Sequence, residues 1–314
     1  MNLFFSFYKN FSKNQKIYNY FKVVSFATLF YTQKEYFQKS QNVYTHDSQT
    51  YDAKLKEQFQ RKIPELDNFF SNVMILSGNA NKDLANEISK ILGIQLGDCT
   101  IGRFADGEVN ISINESVRGK DIYVIQPTCS PVNENIMELL LIISALRRAS
   151  SRRINVLMPY YGYSRQDRQT APRVPISAAD VARLYENVGV DRVICIDLHC
   201  GQIQGFFGPK VPVDNLEANL VGLNYFLQQQ GLDLSNMVIV SPDAGGVTRA
   251  KRFQELFNIK ARQNSSLAMI IKQRDQPGKI AQMNLVGSVE GKHAIIVDDM
   301  IDTAVILYFI GNIV

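Results

Sequence analysis

Residues 153–199 read RINVLMPYYGYSRQDRQTAPRVPISAADVARLYENVGVDRVICIDLH. The stretch opens on an apolar, β-branched run, crosses a polar loop, takes up helical periodicity over SAADVARLYENVG and closes on a second apolar run, RVICIDLH. Strand, helix and strand in that order are the signature of a parallel sheet with helices on its faces. Working outward, the same alternation recurs. NVMILSG (72–78), DIYVIQP (121–127) and the helical NENIMELLLIISALRRA (133–149) lie upstream. Downstream comes a second series: ANLVGLNYFLQQQG as helix, NMVIVSPDAGG as strand and turn, VTRAKRFQELF as helix, then SLAMIIKQR and KHAIIVDDM as strands. Two α/β domains are expected, 69–216 and 217–314, with the changeover near Asp214 to Ala218.

Residues 1–68 are set apart as an extension. The first forty residues are rich in Asn, Lys, Tyr and Phe, with no acid before Glu35 and no arginine up to Gln60. Acid-poor, basic composition suits an organelle-targeting segment, whereas the missing arginines favour a disordered extension. Both readings stay open, with a cytoplasmic location the first expectation and an organelle the alternative. From Gln41 to Asn68 a polar linker with some helical character is expected.

Bulk properties narrow the function classes. A chain of 314 residues can bury two cores, and a formal charge of +4 is too small for a nucleic-acid surface. Four cysteines, Cys99, Cys129, Cys195 and Cys200, lack zinc-site spacing and disulfide-scaffold density, so free thiols are expected. No apolar run approaches the ~20 residues that cross a bilayer.

In open α/β sheets ligands bind beyond the carboxyl ends of the strands, and charged residues gather there. RVICIDLH delivers Asp197 and His199, NMVIVSPDAGG delivers Asp243 with Gly245 and Gly246, SLAMIIKQR delivers Lys272 and Arg274, and KHAIIVDDM leads to Asp298, Asp299 and Asp302. Asp197 and His199, two apart on extended chain, suit a divalent ion, or else a loop carboxylate orienting a surface imidazole. The glycines after Asp243 let amides approach an anion at a helix start, or simply make a tight turn. Arg165, Arg168 and Arg173 among tyrosines suit a nucleotide, which needs stacking and phosphate contact on a small scale. Adjacent carboxylates followed by Asp302, Thr303 and Ala304 can accept from vicinal ribose hydroxyls while the next turn addresses a phosphate.

Six motifs in order resemble the ribose-phosphate diphosphokinase (phosphoribosyl pyrophosphate synthetase) family over about Val73 to Ala304: FADGEVNISINESVRG, YYGYSRQDRQ, DLHCGQIQGFFG, VPVDNL, SPDAGG and VDDMIDTA. The resemblance implies two phosphoribosyltransferase-like α/β domains with mainly parallel sheets, the second incomplete. It implies transfer of the diphosphoryl group of ATP to the 1-hydroxyl of ribose 5-phosphate with Mg²⁺, in a homo-oligomer, commonly a hexamer. By motif, Phe104, Asp106 and Glu108 would reach the adenine side of a neighbouring subunit's ATP. Arg165, Gln166 and His199 would serve ATP, and Asp197, His199 and Asp214 the metal. Asp243, Asp298, Asp299, Asp302, Thr303 and Ala304 would hold ribose 5-phosphate, Lys272 and Arg274 would be catalytic, and Ser116 and Arg118 regulatory.

Two departures from the family pattern stand out. Gly208 sits where an acid is frequent, leaving Asp214 as the candidate ligand. Val305 and Ile306, stiff and apolar, stand where a phosphate loop needs glycine and a hydroxyl. The final residues look foreign to the family, and an exposed apolar sheet edge is expected. A non-catalytic regulatory subunit, or an inactive truncated form, is therefore the alternative to the enzyme, and a simple phosphoribosyltransferase, which would leave the first domain without purpose, ranks last.

Overall fold

The computed structural model describes residues 72–229, 232–273 and 282–301, which form two compact units, one ending at Leu216 and the other beginning at Glu217. Along the first unit come β1 (Val73–Ser77), α1 (Lys82–Leu92), β2 (Cys99–Arg103), β3 (Val109–Ile113), β4 (Asp121–Ile125), α2 (Val132–Arg148), β5 (Arg153–Met158), α3 (Ser177–Val188), β6 (Arg192–Ile196) and β7 (Val213–Leu216). The sheet order is β1-β4-β5-β6-β7 and every pairing is parallel.

The pleat sorts each strand's apolar residues between two covered faces. Met74, Leu76, Ile122, Val124, Ile154, Val156, Met158, Val193 and Cys195 meet the apolar sides of α2 and α3. Ile75, Ile125, Leu157 and Ile194 point the other way, onto Leu84, Ala85 and Ile88 of α1. Burial on both sides explains why these strands read as unbroken apolar runs. The Asn81 side chain caps α1 by accepting from the Leu84 amide at 3.0 Å. Gly93, at φ 69°, and Gly189, at φ 105°, end α1 and α3 in the left-handed region that glycine tolerates best.

The sheet's amino edge is tied by charge. Arg152 forks onto Asp121 at 2.7 and 2.6 Å, and Arg147 pairs with Asp191, which also accepts from the Ile154 amide at 2.7 Å. This leaves the carboxyl edge, where Gly78, Gln126, Pro159 and Asp197 follow their strands, for other work.

Strands β2 and β3 form an antiparallel hairpin outside the main sheet, with Cys99, Ile101, Ile111 and Ile113 against the α2 side of the core. It lies within and just before the FADGEVNISI motif, whose apolar alternation is too short to announce a separate ribbon.

The second unit contains α4 (Asn219–Leu227), β8 (Met237–Ser241), α5 (Val247–Ala261), β9 (Ser266–Gln273), β10 (Gln282–Val286) and β11 (His293–Ile296), with sheet order β10-β9-β8-β11. β8 is parallel to β9 and β11, and β10 runs antiparallel to β9. Leu223, Phe253 and Phe257 from α4 and α5 pack on Met237, Ile239 and Ile295, while Val238, Val240, Ala268 and Ile270 form a core on the opposite face. The mainly parallel arrangement matches the sequence pattern, whereas β10 is a strand the apolar pattern does not announce.

Candidate active site

In the first unit the loops after β5 and β6 are braced before any ligand is considered. Thr128, fully buried after β4, directs both its amide and its hydroxyl to the Tyr160 carbonyl at 3.0 Å. Its hydroxyl oxygen also accepts from the Gly162 amide at 2.7 Å. A Cβ on Gly162 would lie 2.9 Å from the Thr128 carbonyl oxygen, so only glycine lets the chain approach this closely. Tyr163 follows at φ 63° and donates its hydroxyl to Asn133 at 2.6 Å. The Gln166 side chain accepts from Ser177 at 2.5 Å and its carbonyl from the Ala178 amide at 3.1 Å, which fastens SRQD to the start of α3. Arg165, Gln166 and Arg168 stay exposed on this braced loop, and Arg173, also exposed, takes φ 65°.

Asp197, directly after β6, adopts φ 48°, an unusual conformation for an aspartate and a frequent companion of functional sites. Its amide donates to Leu216 at 2.8 Å, and the next amide, Leu198, to the Asn215 side chain at 2.9 Å. Leu198 is buried, with Asp197 and exposed His199 on either side of it. Cys200 hydrogen-bonds to Asp167, which links the DLH and SRQD loops; burial first, then this bond and the Asp167 charge, push its thiol up to about 11. The loop carrying SRQD and the loop carrying Asp197 and His199 are thus joined through Asp167 and Cys200.

Asp214 stands apart from that pair. It lies within β7 rather than beyond it, and Arg192 meets its carboxylate at 2.8 Å. Among the described residues no group of three or more His, Cys, Asp or Glu is gathered as a metal cage. The position of Gly208 has its own explanation: its amide donates to Glu186 at 2.6 Å, and a Cβ there would lie 2.9 Å from the same oxygen. A carboxylate from α3 therefore already occupies the space beside this glycine. Ser116 and Arg118 are exposed on either side of buried Val117, in the loop after β3.

In the second unit Asp243 closes the turn after β8. Its side chain accepts from the Gly246 amide at 2.9 Å, and its carbonyl from buried Ser241 at 2.7 Å. The Gly246 amide is thus engaged internally, so the turn is built around Asp243 as much as toward an anion. Beyond β11 the Asp299 amide donates to the Asp298 carboxylate at 2.9 Å. Asp299 turns inward toward Arg249 of α5 at 3.8 Å, with both side chains largely buried. Asp298 opens outward, yet its carboxyl is pushed up to about 6, chiefly by lost hydration, then by the Asp299 side chain and the charges of Asp299 and Asp243. Asp299 and, more weakly, Asp243 act on the Asp298 carboxyl here. Lys272 occupies β9 opposite Met283. Arg274, Asp302, Thr303 and Ala304 lie outside the described residues, as do Val305 and Ile306.

Sequence reasoning passed over Asn79, Arg103, Gln126 and Glu138. Glu138 is an acid on the apolar stripe of α2, completely buried, and that misplaced charge is the signal in the sequence that could have singled it out.

Comparison with known proteins places this geometry. Residues 73–189 match the model for the N-terminal domain of ribose phosphate pyrophosphokinase, and 212–307 that of the phosphoribosyl transferase domain. The ribose-phosphate pyrophosphokinase of Fusobacterium nucleatum is 50% identical over 235 residues, 75% of this chain and 72% of that protein. The chain belongs to the ribose-phosphate pyrophosphokinase family. The Bacillus subtilis member is 50% identical over 233 residues, 74% of this chain and 70% of its own, and the Thermotoga maritima member 51% over 236 residues, 75% and 72%. The phosphoribosylpyrophosphate synthetase of Mycobacterium smegmatis, a solved structure, shares 38% identity and superposes with a TM-score of 0.69, covering 77% of this chain and 76% of its own. Within this ribose-phosphate pyrophosphokinase family framework, the braced SRQD and DLH loops belong to the first matched domain or follow it directly, and Asp243, Asp298 and Asp299 belong to the second. Among the described residues no helix is long and apolar enough to cross a membrane.

Proposed function

We propose that the chain transfers the β,γ-diphosphoryl group of ATP to the 1-hydroxyl of ribose 5-phosphate, releasing AMP and forming phosphoribosyl pyrophosphate. The observation that carries this reading is the placement of charged residues after successive strands of both units, in a chain 50% identical over 235 residues to a ribose-phosphate pyrophosphokinase. Exposed Arg165 and Gln166 are assigned to ATP, and His199 with Asp197 to its phosphate and metal end. Phe104, Asp106 and Glu108 are assigned to the adenine side, in an assembly of several copies.

Asp243, Asp298 and Asp299, with Asp302, Thr303 and Ala304, are assigned to ribose 5-phosphate. Two neighbouring carboxylates can accept from the 2- and 3-hydroxyls and orient the 1-hydroxyl toward the β-phosphorus; the P–O bond to the α-phosphate breaks and AMP leaves. Phosphoryl-type transfer is chiefly positioning plus neutralisation of charge on the moving oxygens, the work assigned to Lys272 and Arg274. Ser116 and Arg118 are assigned to regulation by phosphate or nucleotide.

The residues fit Mg²⁺. Its hard-oxygen preference is met by the carboxylate of Asp298, whose carboxyl is raised chiefly by lost hydration and then by Asp299 and Asp243 beside it. Mg²⁺ usually takes one or two carboxylates plus substrate phosphates, so a complete protein cage is not required. Asp197 and His199 are assigned to hold it at the ATP phosphates, and Asp298 with Asp243 to hold it at the ribose. Asp214, engaged by Arg192, is the weakest of the assigned ligands. When bound, the ion would draw charge from the phosphate oxygens.

The test is AMP formation by the purified chain with ATP, ribose 5-phosphate and Mg²⁺. Equal amounts of AMP and phosphoribosyl pyrophosphate, dependent on both substrates, are expected; no AMP from assembled protein overturns the reading. Val305 and Ile306, in place of a glycine and a hydroxyl, favour a second reading as a regulatory subunit. Co-assembly with an active relative, without turnover of its own, would establish that alternative.

A further inference from the structure

We propose that Glu138 is a positioning residue that sets where the β2–β3 hairpin tip stands, and so where Phe104, Asp106 and Glu108 meet the nucleotide. The inference rests on the functional reading above. Glu138 has no exposed surface, and its carboxylate accepts from four donors on three separate segments. The Asn79 amide lies at 2.7 Å, the Asn79 side chain at 3.0 Å, the Gln126 side chain at 2.9 Å and the Arg103 guanidinium at 3.5 Å. Gln126, equally buried, accepts from the Ala80 amide at 3.1 Å, and Asn79 reaches the Ile101 carbonyl of β2 at 3.4 Å. One carboxylate therefore joins the β1–α1 turn, the end of β4 and the base of the hairpin.

A buried carboxylate is a poor means of gaining stability, because stripping its water costs several kcal/mol that an apolar side chain of similar size would not. What it supplies is direction. The inner face of the hairpin is apolar, through Cys99, Ile101, Ile111 and Ile113, and apolar contact resists sliding only weakly. Arg103 ends β2 opposite Val109, immediately before the tip, and contacts Glu138 and, one turn earlier on α2, Glu134 at 3.5 Å. Beyond Arg103 the tip closes on itself: Phe104 N–H to Glu108 O at 2.8 Å, Gly107 N–H to Phe104 O at 3.0 Å and Glu108 N–H to Asp106 Oδ1 at 3.1 Å. A tip braced internally and anchored at its base moves as one piece, so the anchor sets all three of its side chains together.

The chain has no tryptophan, so Phe104→Trp gives a single emitter at the tip. Its nanosecond anisotropy is measured alone, with Glu138→Gln and with Arg103→Met. Glu138→Gln keeps the shape but turns one acceptor into a donor facing Asn79 and Arg103. The local motion is expected to widen by roughly twofold in both combinations. In chains retaining Phe104, Glu138→Gln is expected to raise KM for ATP about tenfold, with kcat and KM for ribose 5-phosphate changed by no more than about twofold. Arg103→Lys should recover much of what Arg103→Met loses. Unchanged anisotropy, equal rises in both KM values, or a lowered melting temperature with unaltered KM would overturn the proposal. A parent chain that forms no AMP would defeat the functional reading, while the anisotropy series would still decide the tether. If Glu138→Gln does not fold, Arg103→Met, whose side chain is 31% exposed, carries the same comparisons.

Discussion

Asp298 shows how far one side chain can be read. Its place after an apolar run was legible, because a strand that ends in acids advertises a sheet terminus. Its partners, Asp243 and Asp299, and the inward turn of Asp299 to Arg249 were not, since they depend on how β8, β11 and α5 meet. Its carboxyl, raised to about 6, holds a proton below that pH and is charged above it. This contributes stability at low pH that is lost as pH rises from the ordinary carboxylate range through about 6. The sign for a cation is opposite: Mg²⁺ affinity should strengthen as pH rises through about 6, and titration calorimetry without ribose 5-phosphate, whose own phosphate also titrates at about 6, should show that step removed in Asp298→Asn. Lys272 makes a simpler case. Lys272→Ala should lower turnover by about 10²- to 10³-fold with the assembly intact, the usual loss when one donor to a transition state is removed. Stopped-time AMP assays on the assembled variant check it, and full turnover would remove Lys272 from the chemistry.

At the level of elements, legibility followed burial. β1, β4, β5, β6 and β8 are covered on both sides, so their residues had to be apolar and their pattern was plain. β2, β3 and β10 face less of the core, and their short mixed sequences carried little signal. Long-range ties were invisible for a different reason: Asn79 and Glu138 are 59 residues apart, and no local period joins them. The helices are fixed to the strands by similar ties. Arg147, from the last turn of α2, donates to the Gly189 carbonyl at 2.6 Å and pairs with Asp191, so it holds the α3–β6 connection against α2. Arg147→Ala should cost about 1–3 kcal/mol, discounted toward the lower end because both side chains are about a third exposed. Urea unfolding should then show a lower midpoint with an unchanged slope.

For the whole molecule, the cysteines give a one-sided probe. All four are free and all lie in the first unit, so thiol labelling follows that half alone. Cys195 is fully enclosed and burial pushes its thiol strongly up, while Cys200 is held at about 11. At pH 8 in native buffer Cys195 should stay unlabelled and Cys200 react slowly, because the thiolate is the attacking form. Denaturant should release all four together if the first unit unfolds as one, and mass spectrometry of alkylated peptides would reveal any other order. The division into two α/β halves was readable because each repeats the same alternation, whereas which loop meets which within each half, such as Asp167 with Cys200, left no local pattern.

The first sheet also takes all its strands from one uninterrupted length of chain, Val73 to Leu216, with β7 both its outer strand and its last. During synthesis on the ribosome, every strand of this half leaves the exit tunnel before any of β8 to β11. The early half can settle into its native pairing while the late half is still being translated, and a nascent chain so prepared presents fewer sticky intermediates to the cell.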